Sequence, residues 1–315
     1  MAFSTEVILT LLQLKGIGSK TIINLANKLQ TPINTVDHLS QVWPSLTGKT
    51  FTKFSLEELA QAEKEALNIM ARCNQEGVGL LSFYDDNFPQ ALRECVDEEG
   101  KLKPPVLLYY RGNLEALQQH AVAIIGTRAP TANGVTAGKY FAEKFAEKGF
   151  NIVSGLALGC DTAGHEGALT AGGITTAFLA NGLDWASIFP HENLELAQRI
   201  VANKGLLLSE YPVGQPCTRH ALIARDRLQA GLACATIVIQ TRINGGTIHA
   251  VNATISANKL LFAVEYKHTV DLTDANVQGN IKLCKNKQAM PLRSAEIEDA
   301  ISKCEATYHD QPSLT

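Results

Sequence analysis

Residues 121–180 read AVAIIGTRAPTANGVTAGKYFAEKFAEKGFNIVSGLALGCDTAGHEGALTAGGITTAFLA, and this stretch decides the fold. Apolar runs at 121–126, 150–154 and 174–180 alternate with helical patterns at about 133–148 and 161–171. Strands that are apolar throughout are buried on both faces, and the intervening helices provide the cover. The stretch therefore predicts parallel strands joined by crossover helices.

The same alternation continues on both sides of this stretch. Further strands are predicted at 106–110, 205–210, 235–240 and 259–264, and further helices at 193–203, 220–232 and 246–257. The last 50 residues have the pattern of a closing strand and a short helix. Together these patterns predict an α/β fold with a doubly wound, mostly parallel sheet.

The first part of the chain has a different pattern. From residue 1 to about 77, apolar residues recur at helical spacing, and at 77–87 the sequence GVGLLSFYDDN changes to a strand followed by turn formers. We therefore expect a small all-helical domain at 1–77 before an α/β domain at 78–315.

Composition limits the possible functions. The 28 Lys and Arg residues against 31 Asp and Glu residues give a net charge of −3, so nucleic-acid binding would need a local basic patch. Seven cysteines without CxxC spacing suggest neither a disulfide framework nor a zinc site. The N-terminal stretch carries Glu6 and lacks signal-peptide features, and no long apolar run indicates a membrane span. We expect a cytoplasmic protein without a metal or a membrane partner.

Small residues follow several predicted strands, where a doubly wound sheet opens its ligand crevice. Three of these turns are GTR at 126–128, GLALGCD at 155–161 and GGT at 245–247. Small side chains let an anion approach backbone N–H groups and the N-terminus of the next helix. A single glycine-containing turn of this kind more often has a structural role. Several of them at the same edge of the sheet predict an anion pocket. The glycine fingerprint of dinucleotide-binding proteins is missing, which makes an NAD-dependent dehydrogenase a weakly supported interpretation. The P-loop motif is also missing, which excludes a P-loop ATPase.

Charge supports the same edge. Between residues 211 and 264, Asp226 is the only acidic residue and five residues are basic. The basic residues are Arg219, Arg225, Arg227, Arg242 and Lys259. Arginine suits bidentate phosphate contacts, although a solvated helix face would have a similar composition.

Catalytic signals are weak. Asp161 and His165 lie four residues apart on one helix face. They could form a general-base pair, but a helix-capping Asp and a polar core His fit the pattern better. No hydrolase or metalloprotease motif occurs, so we expect a protein that is not an enzyme.

Six segments together resemble the DNA processing protein A family, also called DprA or Smf. They are IIGTR at 124–128, IVSGLALGCDTAGHEGAL at 152–169, NGLDWASIFP at 181–190, LLLSEYPVG at 206–214, ARDRLQAGL at 224–232 and GGTIHAVNAT at 245–254. The resemblance extends from about Tyr84 to Ile301. It implies an extended Rossmann-like domain that binds single-stranded DNA, forms homodimers and hands the strand to the recombinase RecA during natural transformation. It implies no cofactor and no established catalytic reaction.

The resemblance implies phosphate contacts for Arg128, Ser154, Gly155, Arg225 and Arg227. The turns and their flanking residues add candidates to the DNA- or phosphate-binding site: Gly126, Thr127, Gly159, Asp161, Gly245, Gly246 and Thr247. For Arg128, the structural alternative is an internal ion pair with Asp161 or Glu210.

The chain departs from the family pattern at five places, one of which is Gly245-Gly246, where Ser-Gly is usual. Asp226 replaces the usual Asn, and Gln240 replaces the usual Glu. Leu222 replaces a Phe that is frequent in the family and could stack on a base. Glu265 stands where a Pro is expected. No C-terminal winged helix is expected, since the sequence ends 14 residues after Ile301.

A second DNA contact is predicted near the N-terminus. The sequence LQLKGIGSKTIINLANKL at 12–29 resembles a helix-hairpin-helix. Its candidate phosphate-binding residues are Lys15, Gly16, Gly18 and Lys20. A purely structural turn between two helices is the alternative.

Two other functions remain open. A nucleotide-sensing or nucleotide-cleaving enzyme would need an anion pocket on the same strand ends. The departures at Asp226, Leu222, Gln240 and Glu265 could mark that change of ligand. A scaffold that dimerises through its sheet edge is the third interpretation.

Overall fold

The computed structural model describes residues 2–47 and 54–309. Residues 1, 48–53 and 310–315, which belong to the two predicted domains, lie outside the described part. Four helices come first: α1 (Thr5–Gln13), α2 (Ser19–Ala26), α3 (Val36–Thr47) and α4 (Leu56–Glu76). Ser55 and Glu58 form a reciprocal capping box at the start of α4. Gly77 ends α4 with a φ of 66°, a conformation that favours glycine.

A single nine-stranded sheet follows these helices. Its strands are β1 (Gly79–Ser82), β2 (Leu107–Gly112), β3 (Ala121–Ile125), β4 (Asn151–Ser154), β5 (Thr175–Leu179), β6 (Leu206–Ser209), β7 (Ala235–Val238), β8 (Leu260–Val264) and β9 (Met290–Leu292). Their order is β1-β2-β6-β5-β4-β3-β7-β8-β9. β1 and β2 pair antiparallel at one edge, and the pairs from β6 to β9 are parallel. The predicted α/β fold with a mostly parallel sheet is confirmed.

Helices cover both faces of the sheet. They are α5 (Gln90–Arg93), α6 (Ala132–Glu147), α7 (Cys160–Thr170), α8 (Leu194–Ala202), α9 (Arg219–Leu232), α10 (Ile248–Ser256), α11 (Thr269–Leu272), α12 (Gln278–Lys285) and α13 (Ile297–His309). In the described ranges, no helix is both long enough and apolar enough to cross a membrane.

The N-terminal helices do not have a core of their own. Ile8 and Leu11 of α1 belong to the same buried apolar cluster as Leu107 of β2 and Leu207 of β6. Burial of this shared surface anchors the four helices to the antiparallel side of the sheet. The division into domains at 77/78 therefore stays a prediction.

The strand order reverses between β3 and β7. Strands β4, β5 and β6 add successively on one side of β3, whereas β7, β8 and β9 add on the other. Because crossovers are right-handed, the helices after β3 and after β7 lie on opposite faces of the sheet. The two loops therefore diverge and leave a crevice at the carboxyl edge.

A buried asparagine holds one side of this crevice. The Nδ2 atom of Asn280 lies 2.8–3.1 Å from the carbonyl oxygens of Val238, Ile239 and Val264, to which it can donate. Its Oδ1 atom accepts from the backbone N–H of Thr241 at 2.9 Å. One side chain thus joins the ends of β7 and β8 to α12.

We expect Asn280→Ala to destabilise the protein, because it leaves buried backbone groups without partners at a cost of about 1–3 kcal/mol. Thermal unfolding should show a melting temperature several degrees lower. Asn286→Ala, at an exposed position after the same helix, is the matched control and should leave it nearly unchanged. Equal melting temperatures for the two variants would contradict this role of Asn280.

Candidate nucleic-acid interface

The crevice between β3 and β7 holds a cavity of ≈ 630 Å³, which we call the switch-point pocket. Eight of the predicted site residues line it: Gly126, Thr127, Arg128, Asp161, Arg225, Gly245, Gly246 and Thr247. Its wall also contains Arg219, Arg242, Asp226 and His249. Four arginines thus converge on one pocket of a chain whose net charge is −3.

Arg128 is exposed on a loop that is firmly held. The N–H of Thr127 donates to the carbonyl oxygen of Gln240 at 2.7 Å. The Gln240 side chain accepts from the N–H of Thr131 and donates to its hydroxyl, both at 2.9 Å. Within residues 2–47 and 54–309, Arg128 has no ion pair or side-chain hydrogen bond. Its guanidinium is therefore available to an anion.

The 245–247 turn forms the opposite wall. A Cβ atom at Gly246 would meet nothing within 4 Å, so this backbone is open to the pocket. The N–H groups of Gly246 and Thr247 have no acceptor among the described residues. They precede α10, whose N-terminus carries a partial positive charge. These features suit a phosphate oxygen.

Arg225 reaches the pocket from beneath and is only 5% exposed. Its Nη1 atom donates to the carbonyl oxygen of Phe178 at 2.9 Å, and its Nε atom lies 3.1 Å from Oδ1 of Asp226. A Cβ atom at Gly155 would come within 1.4 Å of Nη1. The guanidinium therefore occupies the space that a side chain at 155 would fill, and Gly155 has a packing role.

Four predicted site residues lie outside the wall of the switch-point pocket: Ser154, Gly155, Gly159 and Arg227. Arg227 makes a bidentate ion pair with Glu210 at 2.7 and 2.8 Å, and its Nε atom donates to the carbonyl oxygen of Lys103. The hydroxyl of Ser154 is fully buried and donates to the carbonyl oxygen of Ile124 at 2.6 Å. The structure assigns both side chains to the scaffold because their donors are already used.

Asp161 and Gly159 also act within the scaffold. One carboxylate oxygen of Asp161 accepts from the N–H groups of Gly155 and Ala157, both at 3.2 Å, so it holds the loop rather than capping α7. Burial raises the pKa of Asp161, and the Arg225 charge opposes that shift. Gly159 has a φ of +83°, and a Cβ atom there would lie 2.6 Å from the carbonyl oxygen of Thr127. Close approach of two loops therefore requires this glycine.

His165 occupies a polar core position. Its Nδ1 atom lies 2.7 Å from the hydroxyl of Thr175, which itself donates to the carbonyl oxygen of Ile152. The ring must therefore donate from Nδ1. Burial lowers the pKa of His165 to about 3, which keeps the ring neutral. Asp161 and His165 do not form a general-base pair.

Asp226 is the charged side chain that opposes the arginines. Burial raises its pKa to about 6, while the Arg225 charge beside it lowers the pKa. His249 lies in the same wall, with Nδ1 2.8 Å from a carboxylate oxygen of Glu98. His249 is not among the predicted site residues, although it directly follows the GGTI segment at 245–248.

The predicted second contact lies on the N-terminal helices. Lys15, Gly16, Gly18 and Lys20 are all exposed in or beside the turn between α1 and α2. Gly16 has a φ of +85°, and Gly18 begins α2 without a side-chain cap. The first N–H groups of α2 are thus open for an anion, which keeps the helix-hairpin-helix interpretation as a proposal.

The fold and the pocket define a Rossmann-like α/β protein with an arginine-lined pocket at its topological switch point. Residues 79–304 match the family described as DNA recombination-mediator protein A, and the chain belongs to this family. The resemblance predicted for about Tyr84 to Ile301 is confirmed.

Relatives and solved structures agree with this assignment. Protein Smf of Synechocystis sp. is 31% identical over 80% of this chain, and DNA processing protein DprA of Streptococcus pneumoniae is 36% identical over 58%. Each match covers 62% of the relative's length. The X-ray structure of DprA from S. pneumoniae has a TM-score of 0.74 and 25% identity, covering 95% of this chain and 98% of that one.

A second solved structure is DNA processing protein A from Helicobacter pylori, which was determined to show its binding mode for single-stranded DNA. It has a TM-score of 0.61 and 28% identity, and the match covers 74% of this chain and 97% of that one.

Asp226→Asn should stabilise the protein at neutral pH. The folded-state pKa of about 6 lies above the ordinary value of 3.8, so ionisation costs stability as the pH rises through this window. The gain should approach about 3 kcal/mol above pH ~7 and shrink towards pH ~5. Thermal unfolding at both pH values checks this, and an equal gain at both would contradict it.

Proposed function

We propose that the switch-point pocket binds the phosphate backbone of single-stranded DNA, with Arg128 as the principal contact. The observation that carries this proposal is the exposed guanidinium of Arg128 on an anchored loop in the crevice. Arginine holds phosphate through planar, bidentate hydrogen bonds. Membership of the family and the single-stranded DNA bound by the H. pylori relative support this ligand.

The proposed contacts are independent of base sequence. Arg128, Arg242 and the N–H groups of the 245–247 turn would hold phosphate oxygens, which are the same in every nucleotide. Arg225 would contribute mainly charge, since its guanidinium is largely buried against Gly155 and Asp226. The protein would thus bind strands of any sequence.

We propose the wider role from family membership. In this proposal the protein works in the cytoplasm as a homodimer, binds incoming single strands during natural transformation and loads RecA on them, without a catalytic step. The turn carrying Lys15, Gly16, Gly18 and Lys20 would add a second backbone contact from the helical region at 1–77.

A nucleotide ligand is the second candidate. The pocket volume of ≈ 630 Å³ falls within the range of small-molecule sites, and its wall contains Asp226 and the Glu98-paired His249. A carboxyl group with a pKa of about 6 could exchange a proton near neutral pH. A thermal-shift screen of mononucleotides, followed by an assay for their cleavage, would reveal this function.

Arg128→Ala should weaken binding of labelled oligo(dT) roughly ten- to a hundredfold, because a charged hydrogen bond contributes about 1.5–3 kcal/mol. Arg199→Ala removes the same charge at the opposite edge of the sheet, where Arg199 pairs with Glu166, and is the matched control. A lowered melting temperature with unchanged affinity would show that Arg128 has a structural role instead.

Binding should depend on salt. Three to five phosphate contacts predict that log K falls with log salt at a slope of roughly −2 to −3.5. Arg128→Ala should reduce the slope by about 0.7, whereas Arg199→Ala should not. Titrations over a salt series measure both slopes. Salt-independent binding would reject the electrostatic mechanism.

A further inference from the structure

Two cysteines meet at the amino edge of the sheet, on the side opposite the switch-point pocket. Cys234 directly precedes β7, and Cys304 lies on α13. Cys304 is fully buried in an apolar cluster, and Cys234 is partly buried and packs against the same cluster. Their thiols share a hydrogen bond, although 70 residues separate them along the chain. The pair is therefore a product of the fold and not of a sequence motif.

Hydrogen bonds to the start of β3 fix the positions of both cysteines. The N–H of Cys234 donates to the carbonyl oxygen of Ala121, the first residue of β3, at 2.9 Å. The N–H of Ala121 donates to the hydroxyl of Tyr308 at 2.8 Å. Tyr308 lies about one turn after Cys304 on α13, so these two side chains lie on the same face of that helix. Both cysteines are thus held against one strand end.

The two thiols differ in acidity. The hydrogen bond with Cys304 lowers the pKa of Cys234, burial opposes this shift, and the charge of Lys259 lowers the pKa further. The same hydrogen bond and burial raise the pKa of Cys304. Lys259 is held next to Cys234, because its ammonium group donates to the carbonyl oxygen of Ala233 at 2.9 Å. A thiolate therefore forms at Cys234 while Cys304 keeps its proton.

Access from solution favours the same cysteine. Cys304 has no exposed surface, whereas Cys234 is only partly buried, so a small oxidant reaches Cys234 first. An accessible, acidic cysteine beside a second thiol is the arrangement that supports reversible oxidation. None of the other five cysteines, all of which lie within residues 54–309, is influenced by a neighbouring cysteine.

We propose that Cys234 and Cys304 form a reversible thiol-oxidation site, in which Cys234 reacts with a peroxide and Cys304 converts the product to a disulfide. The Cys234 thiolate first attacks one oxygen of hydrogen peroxide. An S–O bond forms and the O–O bond breaks, and the released hydroxide takes the proton that Cys234 had lost. The sulfur gives up two electrons and the peroxide gains them, which leaves a sulfenic acid on Cys234.

Cys304 completes the reaction. Its sulfur attacks the sulfur of the sulfenic acid, so that the S–S bond forms and the S–O bond breaks. The hydroxyl group leaves as water with the proton of Cys304. The disulfide joins α13 to the residue before β7, and a thiol reductant restores both cysteines by thiol–disulfide exchange. This site lies apart from the switch-point pocket and does not depend on its ligand.

The test treats the full chain with hydrogen peroxide under native conditions and maps its thiols by mass spectrometry. Two of the seven thiols should be lost, and the peptides carrying Cys234 and Cys304 should be joined until dithiothreitol is added. Cys304→Ser should stop the reaction at a sulfenic acid on Cys234, which dimedone traps. Cys284→Ser, at another partly buried cysteine, is the matched control and should react as the parent protein does.

The pairing must depend on the fold. In denaturant the seven thiols lose their different surroundings, so peroxide should give a mixture of pairings there. The same mixture from the native protein would overturn the proposal, and so would oxidation of Cys217 or Cys284 before Cys234. A native protein in which Cys234 is oxidised but never joined to Cys304 would also overturn it. Should Cys304→Ser not fold, Cys304→Ala removes the same thiol for the trapping experiment.

Discussion

Gln240 joins the two halves of the sheet at the point where the strand order reverses. It is fully buried; its carbonyl oxygen accepts from Thr127 and its side chain bonds both polar groups of Thr131. The loops after β3 and β7 lead to opposite faces of the sheet, and this Gln240 bridge holds them at a fixed distance together with Asn276. Asn276 accepts from Nε of Arg242 at 2.8 Å and donates to the carbonyl oxygen of Ala129 at 3.1 Å. Arg128 lies between Thr127 and Thr131, and the bridge therefore exposes it on a rigid loop.

The same bridge explains why small residues surround it. A Cβ atom at Gly126 would lie 2.8 Å from the carbonyl oxygen of Gln240, and one at Gly134 would lie 2.4 Å from its side-chain oxygen. Glycine after a strand can serve a ligand or close packing. Sequence alone does not separate these roles, because the side chain that packs against the glycine is distant along the chain. At Gly155, for example, a side chain would overlap the guanidinium of Arg225, which comes 70 residues later. The positions of the turns could thus be predicted from the sequence, but the function of each glycine could not.

The strands and crossover helices could be predicted from periodicity, since continuous apolar runs require cover on both faces. The reversed direction of β2, which runs antiparallel to both β1 and β6, could not be predicted, because an apolar run is the same in either direction. For the ARDR segment at 224–227, helix geometry indicates which arginine can face the pocket, whereas the motif alone does not. Residues two apart do not face each other on a helix, so Arg225 and Arg227 could not both line one pocket. Arg227 instead meets Glu210.

An acidic chain can carry an anion site because electrostatic interactions are short-ranged in salt. At physiological ionic strength the screening length is about 8 Å, so most of the 31 carboxylates act weakly on a ligand in the crevice. The local groups decide: Arg128 and Arg242 are exposed, while Arg225 is partly neutralised by Asp226. Asp161 contributes less negative potential to the pocket, because it is buried and one of its carboxylate oxygens accepts from backbone N–H groups. The field in the pocket is therefore set by fewer than ten side chains from four separate segments, which only the strand order brings together.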